Sequence, residues 1–318
     1  MRVIFMGTPE FAIPSLSGIL KAGIQVEAVV TSPDKPAGRG QKMRSSPIKE
    51  FAKKKGLRVL QPNNLKSEDF IDELQSLNPD LIMVVAFRML PEAVWSIPPK
   101  GTVNLHASLL PHYRGAAPIN WAVINGEPKT GVTTFFIQRE IDTGKIILQK
   151  EVEIGPDETA GELHDRLMEV GGELVVDTIH AIEKGDYEPV DQQSLLNTGE
   201  KPKMAPKIFK EDCKINWHKN VDEVYNLIRG LSPYPAAWTE IESGSNSYSL
   251  KIYGARKIGE DHQETPGKIF SDHKSYLRVA VKNGFIELNY IQLAGKKKMQ
   301  VDEFLRGFKE INEYKFIS

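Results

Sequence analysis

Two short segments of this 318-residue chain carry side chains that could move protons around a carbonyl group. Asn104 and His106 stand two residues apart at the end of an apolar stretch, so on a strand both leave the same face. Asp142 opens an Asp-Thr-Gly turn further along. An Asn amide can donate to an oxyanion, a His can relay a proton, and an Asp can hold the imidazole in one tautomer or favour its cation. The pattern predicts direct attack of an amine on a carbonyl, with these three residues catalytic.

The elements predicted around these residues alternate between strand and helix. Near-continuous apolar strands are predicted at 2–6, 25–31, 81–87 and 103–106, with helices between them. This alternation favours a mostly parallel sheet covered on both faces, and such sheets place their sites beyond the carboxyl ends of the strands. We therefore predict an α/β, Rossmann-like N-terminal domain with the candidate site at the end of the last of these strands.

The first turn lacks the glycine pattern of a dinucleotide-binding site. After the first strand the chain reads Gly7-Thr8-Pro9-Glu10, without Gly-x-Gly-x-x-Gly and with an acid where an anion would bind. The sequence also contains no Walker loop and no Gly-x-Ser-x-Gly elbow. It therefore argues against an NAD or FAD enzyme and against a covalent serine mechanism.

The pattern changes after Gly185. Residues 192–208 are polar with two prolines, which is typical of a linker. Beyond them a helix at 221–231 is followed by short strands separated by turn residues. Five or six such strands in about 100 residues favour a small barrel. We predict a catalytic domain at 1–191, a linker at 192–208 and an OB-like β-barrel domain at 209–318.

Composition limits the remaining possibilities. The formal net charge is −1 and 40% of residues are apolar, as in ordinary globular proteins. The lone Cys213 cannot form an internal disulfide and has no zinc-spaced neighbours, which predicts no metal and a reducing cytoplasm. No run approaches membrane-spanning length. Residues 35–58, however, carry nine Lys or Arg against one acid, Glu50. The Gly-containing loop at the start of this stretch is a candidate phosphate-binding site.

The chain around the candidate site closely resembles the 10-formyltetrahydrofolate-dependent formyltransferase family. The resemblance rests on Asn104-x-His106-x-Ser108-Leu109-Leu110-Pro111 together with Asp142-Thr143-Gly144. It extends to the segments 6–12, 36–40, 115–119 and 233–238 and to Trp217 and Arg229, and so spans both predicted domains. It implies that a monomer transfers formyl from 10-formyltetrahydrofolate to the α-amino group of methionyl-tRNA, for translation initiation, without a metal and away from membranes.

The same resemblance implies binding residues. Folate contacts are expected from the turn after the catalytic strand, Ser108, Leu109, Leu110 and Pro111. Further contacts are expected from a loop one residue shorter than the pterin loop of many members, Phe87, Arg88 and Met89. Contacts to the acceptor end of tRNA are expected from the cationic loop, Arg39, Lys42 and Arg44, while the C-terminal domain helps to hold the tRNA.

Alternative functions stay open at this point. A formyl-folate hydrolase, with water as acceptor, or another folate-dependent formyltransferase would use the same three catalytic residues. A non-catalytic RNA-binding protein is an alternative of another class. From Phe209 onward the chain carries seventeen Lys or Arg against fifteen Asp or Glu, a modest excess for a stand-alone RNA binder.

Overall fold

The protein divides into two compact units. The computed structural model describes residues 1–37 and 42–317. Unit 1 comprises Met1–Gly115, Thr130–Glu153 and His164–Ala205, and unit 2 comprises Ala116–Lys129, Ile154–Leu163 and Pro206–Ser318. Unit 2 therefore includes two short segments that precede its main part in the chain. None of the helices in the described part of the chain is both long and apolar enough to cross a membrane.

As far as Ala205 the chain alternates between strands and helices. The strands are β1 (Arg2–Gly7), β2 (Gln25–Val30), β3 (Lys35–Ala37), β4 (Lys42–Arg44), β5 (Val59–Leu60), β6 (Leu81–Val85), β7 (Thr102–His106), β8 (Arg114–Gly115), β9 (Lys129–Phe136), β10 (Ile146–Glu153) and β11 (Met204–Ala205). The α-helices are α1 (Ile13–Lys21), α2 (Pro47–Lys54), α3 (Glu68–Ser76), α4 (Glu92–Trp95), α5 (Pro118–Ile124) and α6 (Ala160–Lys184).

Unit 1 is built on a seven-stranded sheet of order β10-β9-β7-β6-β1-β2-β5. The pairs from β7 through β6, β1 and β2 to β5 are parallel, whereas β9 joins β7 antiparallel. Residues 3–6 and all five residues of β6 are buried, and strands covered on both faces require such continuous apolar runs. The predicted mostly parallel, Rossmann-like sheet is confirmed.

Helix α6 lies directly against the strand that carries the candidate site. A Cβ added to Gly171 of α6 would come within 2.7 Å of Leu105 Cδ2 on β7. Leu105 leaves the opposite face of the strand from its two polar neighbours, as strand geometry requires. The helix thus packs on the back of β7 and leaves Asn104 and His106 on the other face.

The cationic segment predicted as an open loop is a hairpin. Strands β3 and β4 pair antiparallel, with Lys35 opposite Arg44. The connection between them lies outside the described residues and includes Arg39, one of the predicted tRNA contacts. The side chain of Lys42, another of those contacts, is also outside the described part of the structure. The hairpin follows β2, so it begins at the carboxyl edge of the parallel sheet.

Unit 2 contains a nearly closed antiparallel barrel. After α7 (Val221–Gly230), its elements are β12 (Ala237–Ser243), β13 (Asn246–Gly259), β14 (Ile269–Ser271), β15 (Leu277–Val281), β16 (Gly284–Leu293), β17 (Met299–Gln300), α8 (Val301–Gly307) and β18 (Lys315–Ile317). The sheet order is β14-β15-β16-β13-β12-β18, and a bridge between Lys268 and Lys315 joins its two ends. The predicted barrel domain is confirmed. The sequence pattern did not predict β18, the strand that closes it.

Candidate active site

Strand β7 presents Asn104 and His106 from the middle of the sheet. Asn104 lies opposite Val84 of β6 and opposite Phe135 of β9. Its side chain is half buried, and no residue in the described part of the chain hydrogen-bonds to its amide. A partly enclosed amide without a protein partner is available to donate to a ligand oxygen.

His106 is held in one tautomer by the backbone of the following loop. The residue is 7% exposed, and its Nε2 lies 2.8 Å from the carbonyl oxygen of Tyr113. Because a carbonyl can only accept, Nε2 must carry the proton and donate it. In the neutral ring Nδ1 is then the basic nitrogen, and it lies 3.8 Å from Oδ2 of Asp142. At that distance the two groups make no direct hydrogen bond, and the carboxylate faces the ring nitrogen that carries no proton.

Asp142 occupies a turn with little freedom to move. Its backbone is in the left-handed region, with φ of 55°, and its Oδ2 accepts a hydrogen bond from the Gly115 nitrogen at 2.9 Å. Two residues later, a Cβ on Gly144 would lie 1.7 Å from the carbonyl oxygen of Phe136. Only glycine fits this contact between the turn and the end of β9. The close approach explains why the turn reads Asp-Thr-Gly.

Gln192 was not predicted from the sequence as a site residue. Its side chain fixes the backbone of this turn through hydrogen bonds. Its side chain is buried, and Nε2 donates to the carbonyl oxygens of Asp142 at 2.9 Å and Gly144 at 2.7 Å. Its Oε1 accepts from Nε and Nη2 of Arg114, at 3.0 and 2.6 Å. Desolvation lowers the pKa of the Arg114 guanidinium, partly offset by the charge of Asp142. Gln192 lies in the predicted linker and belongs to no motif, so the sequence carried no local signal for it.

The predicted folate turn is fastened to the neighbouring strands. Ser108 is fully buried, and its hydroxyl donates to the carbonyl of His112 at 2.7 Å. Thr133 of β9 donates to the Ser108 carbonyl at 2.6 Å and accepts from the Leu110 nitrogen at 3.2 Å. Gln149 of β10 donates to the Leu110 carbonyl at 2.8 Å. Thr133 and Gln149 were also missed from the sequence, and they fix the path of the turn.

The remaining side chains of the turn are mostly used within the fold. Leu110 packs with Phe135 and Ile146, and Pro111, after a cis peptide bond, is buried as well. Leu109 is half buried and packs on Gly131. The turn therefore offers a ligand part of Leu109 and the second acceptor positions of its backbone carbonyls, because the Ser108 hydroxyl and the Leu110 nitrogen already have partners.

The predicted pterin loop begins beside the catalytic strand. Since Val85 pairs with Leu105 in parallel register, Phe87, Arg88 and Met89 follow β6 at the edge where His106 ends β7. Phe87 is half buried, and Met89 is 74% exposed. The Arg88 guanidinium donates to backbone carbonyls of the segment after β5, and desolvation lowers its pKa. Phe87 and Met89 thus follow β6 at the same sheet edge as His106, whereas the Arg88 guanidinium is used within the protein.

A partly buried ion pair lies at the base of the cationic hairpin. Nζ of Lys49 lies 2.6 Å from Oδ2 of Asp34, and Gln61 donates to the other carboxyl oxygen at 2.9 Å. The hydrogen bonds from Lys49 and then Gln61 lower the pKa of Asp34. Arg44 is exposed and lies opposite Lys35 on the paired strand. Like charges opposite one another are unfavourable in isolation, so the pair is suited to a polyanionic partner.

The residues at the end of β7 can stabilise charge that forms during a reaction and can move a proton. Asn104 supplies a donor, and Nδ1 of His106, which lies beside the Asp142 carboxylate, supplies a proton acceptor. Within the ranges that the structure describes, no three His, Cys, Asp or Glu residues are grouped closely enough to hold a metal ion. Oxyanion stabilisation and proton relay are the steps that this arrangement can perform.

Comparison with known proteins gives the same family over both units. The formyl transferase family matches residues 1–179, and the formyl transferase C-terminal domain family matches residues 207–309. Methionyl-tRNA formyltransferase of Parabacteroides distasonis is 51% identical, covering 99% of this chain and 98% of its own. That of Flavobacterium johnsoniae is 54% identical with the same coverage. A solved N-formyltransferase from Helicobacter canadensis, in complex with folinic acid and dTDP-3-aminofucose, is 22% identical with a TM-score of 0.64 and covers 93% of this chain and 99% of its own. At that identity it shows a shared fold.

Proposed function

This chain belongs to the formyl transferase family, and we propose that it transfers the formyl group of 10-formyltetrahydrofolate to the α-amino group of methionyl-tRNA. The resemblance read from the sequence is confirmed, and relatives about half identical over nearly the whole chain are methionyl-tRNA formyltransferases. One geometric observation carries the proposal. The free amide of Asn104 shares a strand face with His106, whose Nδ1 lies beside the Asp142 carboxylate.

The first step is attack of the α-amine on the formyl carbon. An α-amino group ordinarily has a pKa of about 7.7–8.0, so a useful fraction is already neutral at physiological pH. As the tetrahedral intermediate forms, the formyl oxygen becomes an oxyanion, and Asn104 donates to it. Because this donor is already positioned, no free energy is needed to reorient it as the oxyanion forms.

The second step moves one proton between two nitrogens. Nδ1 of His106 takes the proton that the attacking nitrogen loses and returns it to N10 of the folate as the carbon–nitrogen bond breaks. The products are formyl-methionyl-tRNA and tetrahydrofolate. Tyr113 keeps Nε2 protonated, so Nδ1 is the exchanging atom, and Asp142 stabilises the imidazolium while it exists.

We place the folate between the two loops that border the end of β7. The turn from Ser108 to Pro111 would contact it through backbone and Leu109, and the loop from Phe87 to Met89 would contact it through its apolar side chains. Arg88 would act indirectly, because its guanidinium holds the loop to the segment after β5. The donor acts as a substrate, and the proposal includes no metal.

We propose that unit 2 holds the body of the tRNA through an outer barrel face of cations and aromatic rings. Nζ of Lys298 lies 4.7 Å from the ring centre of Tyr253 and 5.2 Å from that of Tyr290. On the adjoining strand β12, the ring of Trp238 lies 5.1 Å from Nζ of Lys210 and 5.6 Å from Nζ of Lys214, which belong to the segment before α7. Cations stabilised on rings in this way can contact phosphates, which fix position without reading sequence.

The proposal includes a division of labour along the chain. Residues 1–191 would carry the chemistry, 192–208 would connect, and 209–318 would bind tRNA, while Arg39, Lys42 and Arg44 of the hairpin reach the acceptor end. We propose that the protein acts as a monomer in the cytoplasm, where aminoacyl-tRNA is used.

Purified protein assayed with methionyl-tRNA, with glycinamide ribonucleotide and without an acceptor tests the proposal. We expect transfer only to methionyl-tRNA. Formate release that needs no tRNA would instead indicate a hydrolase. A non-catalytic RNA-binding protein would give no thermal shift with a folate analogue, whereas a ligand at 100 times its Kd stabilises the folded form by about 2.7 kcal/mol.

A further inference from the structure

We propose that Gln192 is the positioning residue of the His106–Asp142 pair, an inference that rests on the proposed formyl transfer. The residue is 2% exposed and lies in the segment predicted as a linker. It does not contact the reacting atoms. It acts by fixing the turn from which the Asp142 carboxylate projects.

All four hydrogen-bonding positions of the Gln192 amide are used. The two N–H groups reach the carbonyl oxygens of Asp142 and Gly144, and the oxygen accepts twice from Arg114. A glutamine amide offers two donors and two acceptor positions, so the group is saturated. A buried amide with every position paired sets the location of each partner closely.

The backbone beneath Gln192 is itself fixed. Val190 and Ile146 exchange two backbone hydrogen bonds, of 2.8 and 2.9 Å, which tie the segment to the start of β10. A short helical turn, Gln192–Leu195, begins directly afterwards, with the Asp191 side chain accepting from the Gln193 nitrogen at 2.8 Å. Gln192 therefore projects from a rigid base.

The same stretch of chain also holds the other partner of the pair. The Lys203 carbonyl accepts from the Tyr113 nitrogen at 2.6 Å, and β11 continues by pairing with β8. Tyr113 in turn supplies the carbonyl that fixes the His106 tautomer. Residues 190–205 thus restrain both His106 and Asp142 from outside the motifs, and Gln192 is the residue that acts on Asp142.

Two substitutions separate positioning from simple pairing with Arg114. Gln192→Met keeps the volume and removes all four hydrogen bonds. Gln192→Glu keeps an acceptor for Arg114 but places an oxygen against the carbonyls of Asp142 and Gly144. If Gln192 acts by holding the turn, both variants lower kcat by about 10- to 100-fold, since misplacement by about 1 Å can cost about 100-fold. The KM values for folate and methionyl-tRNA should stay within about threefold, because neither variant alters a proposed ligand contact.

Gln193→Glu is the matched control, because Gln193 is the exposed neighbour of the same type. It should behave as the unsubstituted enzyme. Steady-state kinetics with methionyl-tRNA and thermal unfolding would be recorded for each protein. A Gln192→Glu enzyme with full kcat would overturn the proposal, since only the Arg114 contact would then matter. Activity that falls only in proportion to the fraction of folded protein would also overturn the proposal. Failure of the unsubstituted enzyme to formylate methionyl-tRNA would instead refute the proposed function.

Discussion

Gly144→Ala is expected to cut catalysis by moving Asp142. The added Cβ would lie 1.7 Å from the Phe136 carbonyl oxygen and 2.9 Å from its carbon, and real Cβ atoms essentially never approach closer than 3.0 Å. Turn and strand end must therefore separate by about 1.3 Å in total. The strand end cannot retreat freely, because the sheet holds it: Phe136 pairs with Val103 of β7, and the Ile137 nitrogen donates to the Thr102 carbonyl at 2.7 Å. Most of the shift should fall on the turn. A displacement of this size at a catalytic group corresponds to roughly a 100-fold loss in kcat.

The assay is steady-state formyl transfer to methionyl-tRNA at saturating folate, with circular dichroism to confirm that the variant is folded. Gly307→Ala is the control, since a Cβ there meets nothing within 4 Å. A folded Gly144→Ala enzyme with kcat within about threefold of the unsubstituted protein would refute the reasoning. It would mean that the turn can relax without moving the carboxylate.

Three further outcomes are expected. Asn104→Ala should lower kcat about 100- to 1,000-fold with little change in the KM values, as for removal of other oxyanion donors, and near-full kcat would remove Asn104 from the mechanism. Replacing Lys35 and Arg44 together by Ala should raise the KM for methionyl-tRNA and make its salt dependence shallower, by about 0.9 in log–log slope for each phosphate that the protein no longer neutralises. An unchanged slope would exclude this hairpin from the tRNA site. Asp34→Asn should destabilise the protein above about pH 4, since the folded-state pKa of Asp34 lies below its ordinary value. The difference in unfolding free energy should shrink as pH falls through that folded-state pKa, and a difference that grew on acidification would contradict the assigned ion pair.

The parts of the fold with a strong local signal could be predicted from the sequence. β6 is apolar throughout because it is buried on both faces, and Ser46 and Pro47 begin α2 as a capping residue and a first-turn proline. The Ser46 hydroxyl accepts from the Lys49 nitrogen at 3.2 Å, which is the contact expected of a serine that caps a helix. In each of these cases the residues that signal the element are also the residues that make its contacts.

The residues that hold the candidate site in place have no comparable local pattern in the sequence. Gln192 lies fifty residues from Asp142 in the chain, and Tyr113 acts on His106 through its backbone carbonyl. A contact between distant residues leaves no periodicity, and a backbone carbonyl is available from any residue type. Short closing elements such as β18 were missed for a related reason, because their pairing depends on the barrel that they complete.

Because unit 2 is assembled from separate segments of the chain, it constrains both co-translational folding and the choice of fragments for expression. The Arg229 guanidinium, 7% exposed, donates to the carbonyls of Gly155 and Glu158, and Asn120 of α5 donates to the Gly230 carbonyl at 2.8 Å. During synthesis on the ribosome, α5 emerges before α7. The face of α5 that packs against α7 therefore stays exposed until α7 has been made. A fragment beginning at residue 209 would lack those acceptors and would expose to water both Arg229 and the face of α7 that Ile124 of α5 covers. An expressible C-terminal fragment would have to carry residues 116–129 and 154–163, which makes a circularly permuted chain a better choice than a truncated one.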